Sequence, residues 1–308
     1  VIEKPKFKLY FLHPKFWLTW LGVLFLYLVS WLPYRLQLWL GKGLGRLFKK
    51  AMPRRVNIAR RNLQLCFPDY SDEQIEQLVT KNLENTGIAY FEIGIAWWWP
   101  DWRIKRKLHV HGKENLEQAQ AGGKGVLMLL FHFLSLEVHA RLHGFVKPAV
   151  GLYRPHNNAV MEFLQTRGRG RSNKYMIQRR DVKGMLKAIS NGEIAGYLPD
   201  QDYGRRRVEF VPFFNVPDAS TTTGTTLFAQ HKNCNVLVSR CVRREDGSGY
   251  DVYYEPMLRD FPSGDDKADA ARINTLVEQA IEQAPDQYLW VHRRFKTRPT
   301  EDMPSYYN

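Results

Sequence analysis

A histidine and a glutamate stand five residues apart in the stretch Leu130-Phe131-His132-Phe133-Leu134-Ser135-Leu136-Glu137. A carboxylate that accepts the proton of one imidazole nitrogen fixes the tautomer and raises the basicity of the other nitrogen. That second nitrogen can then take the proton of an alcohol. No nucleophilic side chain is needed, because a substrate hydroxyl can attack an acyl group directly. The chemistry suggested by His132 and Glu137 is therefore acyl transfer to an alcohol without a covalent enzyme intermediate. Most isolated His/Glu pairs are surface or satisfied core residues, so the reading depends on context. Val126-Leu127-Met128-Leu129-Leu130-Phe131 is a continuous apolar run behind Gly122, Gly123 and Gly125, the pattern of a buried strand. The pair then falls at the carboxyl end of a sheet strand, where α/β proteins place ligands.

A second group of residues suits anions. Tyr153-Arg154-Pro155 is followed by Arg167-Gly168-Arg169-Gly170-Arg171-Ser172-Asn173-Lys174 and by Arg179-Arg180. Guanidinium forks and glycine-freed backbone amides grip phosphates and carboxylates, a role open to Arg154, Arg167, Arg169, Arg171, Arg179 and Arg180. Pro199-Asp200-Gln201-Asp202-Tyr203-Gly204 follows the apolar run Ile194–Leu198. Acids there could orient an arginine, a substrate amine or a hydroxyl. No metal is expected, since no further His or acidic ligands stand at metal spacing. His139 and His143, at i,i+4, could share one, but they lack the H-E-x-x-H pattern.

The elements that must position these residues alternate. Strands are expected over 126–131, 149–153, 194–198, 208–213, 236–242 and 250–254, and helices over 136–143, 158–166, 182–190, 222–231 and 269–283. That order implies an α/β fold, a mixed or largely parallel sheet flanked by helices. Ser71-x-x-Gln74 reads as a capping box that starts a helix running towards Trp97-Trp98-Trp99-Pro100. At least one of those three tryptophans should meet lipid, ligand or water. The termini and Ser263-Gly264-Asp265-Asp266 are the expected disordered segments.

The amino-terminal third points to a membrane. Phe16 to Tyr34 carries no charge and includes Trp17, Trp20, Phe25, Tyr27 and Trp31, close to the roughly 20 residues that cross a bilayer. It lacks the small-residue cleavage site of a signal peptide. Residues 1–35 are accordingly expected to form a membrane-anchoring helix, crossing the bilayer or lying in one leaflet, and residues 36–308 a catalytic domain. Basic residues flank the run on both sides, Lys4, Lys6, Lys8 and Lys15 before it and a larger cluster from Arg35 to Arg55 after it, which favours a cytoplasmic body. Leu36, Leu40, Leu44, Leu47 and Phe48 recur at helical spacing among Lys42, Arg46, Lys49 and Lys50, as in a basic amphipathic helix on an anionic membrane.

Composition narrows the partners. The 308 residues hold 45 Lys+Arg against 31 Asp+Glu, a formal charge of +14. So basic a chain suits an anionic partner. Its aromatics cluster in the apolar run and the tryptophan block rather than in a basic stacking platform, which argues against nucleic acid. Cys66, Cys234 and Cys241 form no metal or disulfide spacing and fit a reducing compartment. G-x-S-x-G, P-loop and Rossmann signatures are absent, and no cofactor is expected.

Taken block by block, the chain resembles the late (secondary) acyltransferases of lipid A biosynthesis, the lauroyl/myristoyl transferases acting on Kdo2-lipid IV(A), and within them the lauroyl-type branch. The resemblance is carried by His13-Pro14-Lys15-Phe16-Trp17-Leu18-Thr19-Trp20-Leu21-Gly22, Arg61-Asn62-Leu63-Gln64-Leu65-Cys66-Phe67-Pro68, the His132/Glu137 block, Tyr153-Arg154-Pro155, Arg169 to Lys174, Pro199-Asp200, Asp202-Tyr203-Gly204, Thr221 to Thr225 and His292 to Pro299. It implies a glycerol-phosphate-acyltransferase-like fold with an amino-terminal membrane anchor, placed on the cytoplasmic face of a bacterial inner membrane. It also implies an acyl donor on acyl carrier protein, and as acceptor the 3-hydroxyl of a hydroxyacyl chain on the lipid A precursor. The family's H-x4-D/E motif maps onto His132 and Glu137. Its further functional arginine and aspartate map onto Arg169 and Asp200, with Arg171 competing for the arginine role; Asp200 would orient one of the arginines or the acceptor. Two rival functions share parts of the pattern: a phospholipid-forming acyltransferase of glycerol-phosphate type, and a non-catalytic membrane-surface binding protein.

Overall fold

A computed structural model describes residues 5–307; Lys4 of the leading basic cluster lies outside them. After two short 3-10 turns the chain forms helices α1 (Trp17–Ser30), α2 (Tyr34–Ala51), α3 (Pro53–Cys66), α4 (Asp72–Trp98) and α5 (Asp101–Lys105). Strand and helix then alternate: β1 (Leu108–His111), α6 (Lys113–Ala119), β2 (Gly125–Leu129), α7 (Leu136–Val146), β3 (Val150–Tyr153), α8 (Ala159–Arg169), β4 (Tyr175–Gln178), α9 (Val182–Ser190) and β5 (Ile194–Tyr197). A hairpin of β6 (Val208–Phe213) and β7 (Val216–Thr222) follows, then α10 (Gly224–Ala229), β8 (Cys234–Arg243), β9 (Tyr250–Tyr254) and α11 (Asp266–Glu282).

Seven strands make one sheet in the order β1-β9-β8-β2-β5-β3-β4, and β6 and β7 pair separately. All neighbours in the large sheet run parallel except β8 and β9. The expected mixed α/β sheet is thus present. Strands β1, β4 and β7 were not anticipated; β1 and β4 are short edge strands whose few residues carry little periodicity. β2 lies at the centre and is buried throughout. Its alternate residues feed two different cores, Leu127 and Leu129 one layer, Val126 and Met128 the other. A strand covered on both faces reads as an unbroken apolar run.

The long helix α4 begins at the anticipated box, with Ser71 Oγ accepting from Gln74 N and Gln74 Oε1 accepting from Ser71 N. It carries α2 across its back at very close range. A Cβ at Gly45 would lie 2.1 Å from the Leu83 carbonyl oxygen, and one at Gly87 would lie 2.1 Å from that of Gly41. α2 therefore buries Tyr34, Gln37, Gly41 and Gly45 rather than the leucines of its amphipathic pattern, leaving Leu36, Trp39 and Leu47 exposed.

The expected membrane-crossing helix over 16–34 is corrected by the structure. α1 is 14 residues long, about 21 Å at 1.5 Å per residue. It stops because Pro33 cannot continue it, and because Gln37 Nε2 takes the carbonyls of Ser30 at 2.9 Å and Leu32 at 2.8 Å. No described helix is long and apolar enough to cross a membrane. Leu26 and Val29 of α1 pack on Phe91 of α4, while Trp17, Leu18, Leu21, Leu24, Phe25 and Leu28 stay exposed. Ser263 to Asp266 is also more ordered than anticipated. Asp269 accepts from Ser263 N, and Asp265 caps α11 by accepting from Lys267 N and Ala268 N.

The α2–α4 contact yields a stability test. Gly45→Ala forces backbone against backbone and should cost about 1–3 kcal/mol, the usual range for overpacking. A lowered midpoint in thermal unfolding is the expected result, with Gly43→Ala instead unchanged or raised, because nothing lies within 4 Å of its added Cβ and alanine is the better helix former.

Candidate active site

The pairing of β2 with β5 sets the site. The two run parallel with Leu129 opposite Tyr197, and Leu130 N donates to Tyr197 O at 2.8 Å. Three residues beyond each paired end stand His132 and Asp200. Equal steps from a common register bring them to the same level above the sheet. His132 Nδ1 lies 2.6 Å from Asp200 Oδ1, and His132 N donates to Asp200 Oδ2 at 2.7 Å. Asp200 is 1% exposed. Its burial would raise the carboxyl pKa, but the His132 charge, the two His132 hydrogen bonds and the Tyr288 hydroxyl outweigh that and hold it below the usual value. A carboxylate on Nδ1 leaves Nε2 of His132 as the nitrogen with a lone pair.

The carboxylate on His132 is thus Asp200, and the expected Glu137–His132 hydrogen bond is replaced by another. Glu137 sits in the first turn of α7, where the helix dipole favours a negative charge. Its Oε1 accepts from Arg169 through Nε at 2.9 Å and through Nη2, and its Oε2 accepts from Trp97 Nε1 at 3.3 Å. Arg169 is the last residue of α8, at the helix end that favours a cation. The expectation that Asp200 orients an arginine is corrected for the same reason: its oxygens are occupied by His132 and Tyr288.

Gly168 makes the Glu137–Arg169 pair possible. A Cβ there would lie 2.4 Å from the Trp97 ring, so only glycine lets the indole slide against α8. Arg171 turns away from the anion role expected of it. Its Nη1 donates to Trp97 O at 2.6 Å, and its Nη2 lies 3.4 Å from Asp101 Oδ1, so it ties the turn after α8 to the end of α4. Trp99 is buried under the Arg103 guanidinium at 3.9 Å, and Trp98 is partly buried against Tyr27.

His132 lines a cavity of about 1100 Å³, and Arg154, Arg179, Arg180, Arg206, Arg207 and Lys296 line it too. No ion pair holds any of these six among the described residues. Arg154 is where the sequence placed it; Arg206, Arg207 and Lys296 were missed, although Arg205-Arg206-Arg207 directly after the Gly204 turn is itself a visible cluster. Arg207 adopts a left-handed backbone, φ 54°, uncommon for a side-chain-bearing residue. Its carbonyl is held there by Thr223 N at 2.9 Å and Thr223 Oγ1 at 3.1 Å. A second, narrow pocket of about 90 Å³ is lined by Met128, Leu130, Leu136, Met176 and Gly196, together with Glu137 and Arg169. Leu152 and Leu198 line both spaces.

The profile of a family described as bacterial lipid A biosynthesis acyltransferase matches residues 4–297. The chain belongs to that family. It is 46% identical over 303 residues to the lipid A biosynthesis lauroyltransferase of Escherichia coli strain K12, covering 98% of this chain and 99% of that one. It is 43% identical to the palmitoleoyltransferase of the same strain, covering 98% of each. The myristoyltransferase of that strain is 27% identical, with 98% of this chain and 94% of that one covered. Likeness to the lauroyl-type relatives therefore exceeds likeness to the myristoyl type.

Two further buried histidines of this acyltransferase, His139 and His143, line the narrow pocket. Their rings do not converge on one point: His139 Nε2 meets Ser239 Oγ at 3.0 Å and His143 Nδ1 meets Tyr254 OH at 2.7 Å. Burial, with the neighbouring His143 charge adding to it, pushes His139 down to about 3, and burial pushes His143 down to about 4. A histidine whose folded pKa is depressed stabilises the fold fully above its unfolded value near 6.5. The contribution is lost as pH falls, because the unfolded chain takes up the proton first. Denaturant midpoints should therefore drop steeply between pH 6.5 and 4. The double variant His139→Gln/His143→Gln, compared across the same range, should show a shallower slope.

Proposed function

We propose that this acyltransferase moves a fatty acyl chain from acyl carrier protein to the 3-hydroxyl of a hydroxyacyl chain on Kdo2-lipid IV(A) or a related lipid A precursor. The observation that carries the reading is His132, tied at Nδ1 by a buried carboxylate and lining a cavity ringed by cations. Nε2 of His132 removes the acceptor hydroxyl proton as its oxygen attacks the thioester carbonyl. A C–O bond forms, the tetrahedral oxyanion collapses, and the C–S bond to pantetheine breaks. The thiolate takes the proton from His132, which returns the imidazole to its neutral starting form and releases pantetheine thiol. Asp200 holds the imidazole and stabilises its charged form while the proton is on it.

Arg154, Arg179, Arg180, Arg206, Arg207 and Lys296 suit the phosphates and carboxylates of the acceptor headgroup. The narrow apolar pocket suits part of a hydrocarbon chain, and its shared wall at Leu152 and Leu198 sets chain and headgroup side by side. Glu137 acts in the same site by holding Arg169 against that pocket, and Arg171 supports the arrangement from behind. Acyl carrier protein and the lipid are both anionic, which suits a chain of +14.

Membrane attachment fits a single leaflet on the cytoplasmic face of a bacterial inner membrane. Residues 1–35 serve as the anchor, lying in the membrane surface rather than across it, and residues 36–308 form the catalytic domain. What supports this is a continuous set of exposed apolar side chains: Leu9 and Leu12 ahead of α1, Trp17, Leu18, Leu21 and Leu28 on it, and Leu36, Trp39 and Leu47 on α2. Lys42, Arg46 and Lys50 lie among them on α2, where anionic lipid headgroups would meet them.

Two experiments test the reading. His132→Ala should lower transfer from acyl carrier protein to Kdo2-lipid IV(A) by at least about 100-fold, the lower end of general-base catalysis, measured on protein whose fold is checked by circular dichroism because Asp200 loses its ring partner. Turnover within a few-fold of the parent would remove His132 as the base. Leu18→Ser combined with Leu21→Ser should weaken binding to anionic phosphatidylglycerol vesicles by about tenfold or more, because each buried leucine contributes about 1.5–3 kcal/mol. An unchanged partition in vesicle sedimentation would reject the in-plane face.

A further inference from the structure

We infer that Tyr288 is a positioning residue for the reaction: its phenol fixes the rotation of the Asp200 carboxylate and, through it, the direction of the His132 imidazole. The inference rests on His132 being the general base. Tyr288 OH donates to Asp200 Oδ2 at 3.0 Å, the oxygen that also accepts His132 N. With Oδ2 held by two donors, Oδ1 is turned to His132 Nδ1. The Asp200 carbonyl is 3.3 Å from the same hydroxyl, but a charged acceptor takes a single proton in preference to a neutral one. Burial raises the phenol pKa, so the donor keeps its proton at any pH where the enzyme works.

A positioning residue must itself be held, and Tyr288 is held from three sides. Towards the site, Phe133 bridges to Tyr288, Leu289 N donates to His132 O at 2.9 Å, and Leu134 N donates to Gln287 O at 2.8 Å. The segment thus grips the backbone from His132 to Leu134, on both sides of Phe133. From α4, fully buried Asn82 donates to Tyr288 O at 2.7 Å and to Asp286 O at 2.9 Å. From β8, Arg243 exchanges two hydrogen bonds with the Gln287 side chain, each 2.9 Å long. The phenol therefore arrives from a braced strand-like segment roughly 90 residues downstream of Asp200, and nothing in its own composition advertises a link to the site. Other ionisable groups near the cluster are Arg294, Cys66, Tyr203, Asp202 and His292. All of them remain in place in a tyrosine variant, so a pH shift on changing Tyr288 reports the lost hydroxyl.

Tyr288→Phe removes one donor from Asp200 and keeps the ring. Negative charge then concentrates on the carboxylate and His132 binds its proton more tightly. The acid limb of kcat/KM should move to higher pH, and kcat should fall by about tenfold, the size of one hydrogen bond to a charged group. KM for acyl carrier protein thioester and for lipid acceptor should stay within twofold. Site-specific replacement of Tyr288 by a difluorotyrosine strengthens the donor and should move the acid limb the other way. It decides the matter if Tyr288→Phe does not fold. An acid limb and kcat equal to the parent in both variants, with a change only in unfolding midpoint, would overturn the inference. His132→Ala, run in the same series, separates the two levels. If it retains activity the general-base reading falls and the inference with it. If it is inactive while the Tyr288 variants behave as the parent, only the role of Tyr288 is lost.

Discussion

A carboxylate withdrawn from water beside a strand end is the constraint on which the rest of the site depends. Asp200 is 1% exposed, and an unpaired charge there would be very costly. It survives because the parallel register of β2 and β5 delivers His132 at the same height, offering both a backbone N–H and a ring nitrogen. The same interaction that satisfies Asp200 fixes the imidazole tautomer. Stability and chemistry are therefore met by one contact, and the surrounding segments are arranged to preserve it. Residues 286–289 bond back to the His132 loop, and α4 supplies asparagines that hold those residues in turn.

A second carboxylate serves a different end. Glu137 and Arg169 join the start of α7 to the finish of α8, each placed where its helix dipole favours its charge. Trp97 completes the pair and needs Gly168 to reach it. The result is a polar lip beside an apolar pocket, next to a much larger cavity lined by cations that no ion pair holds among the described residues. Two unlike spaces, one cationic and one apolar, share Leu152 and Leu198, and the proposed function assigns the headgroup to the first and hydrocarbon to the second.

The amino-terminal elements show how packing changes the meaning of an apolar run. Nineteen uncharged residues from Phe16 to Tyr34 look long enough to span a bilayer, yet Pro33 and the Gln37 side chain end the helix early. What remains is a short helix with one side on α4 and a broad apolar side facing outward. On α2 the glycines, not the leucines, meet α4, since only glycine allows the two backbones so close. Leu36 and Leu47 are left outside, while Leu40 and Leu44 reach only the edge of the Leu26, Val29 and Phe91 cluster.

Much of the fold was legible in the residues themselves. The capping box of α4, the buried run of β2, the alternation after Arg103 and the position of His132 at a strand end all follow from local chemistry and period. Arg154 at the cavity was also within reach. What the residues could not reveal was pairing. Spacing suggested Glu137 for His132, because five residues is short in sequence; Asp200, 68 residues away, is the actual partner. Tyr288 gave no signal at all. Local patterns determine elements, since propensity, capping and periodicity act over a few residues. Which side chains meet is decided by strand register and by the long-range packing of segments such as 286–289, and these exist only once the whole sheet has assembled.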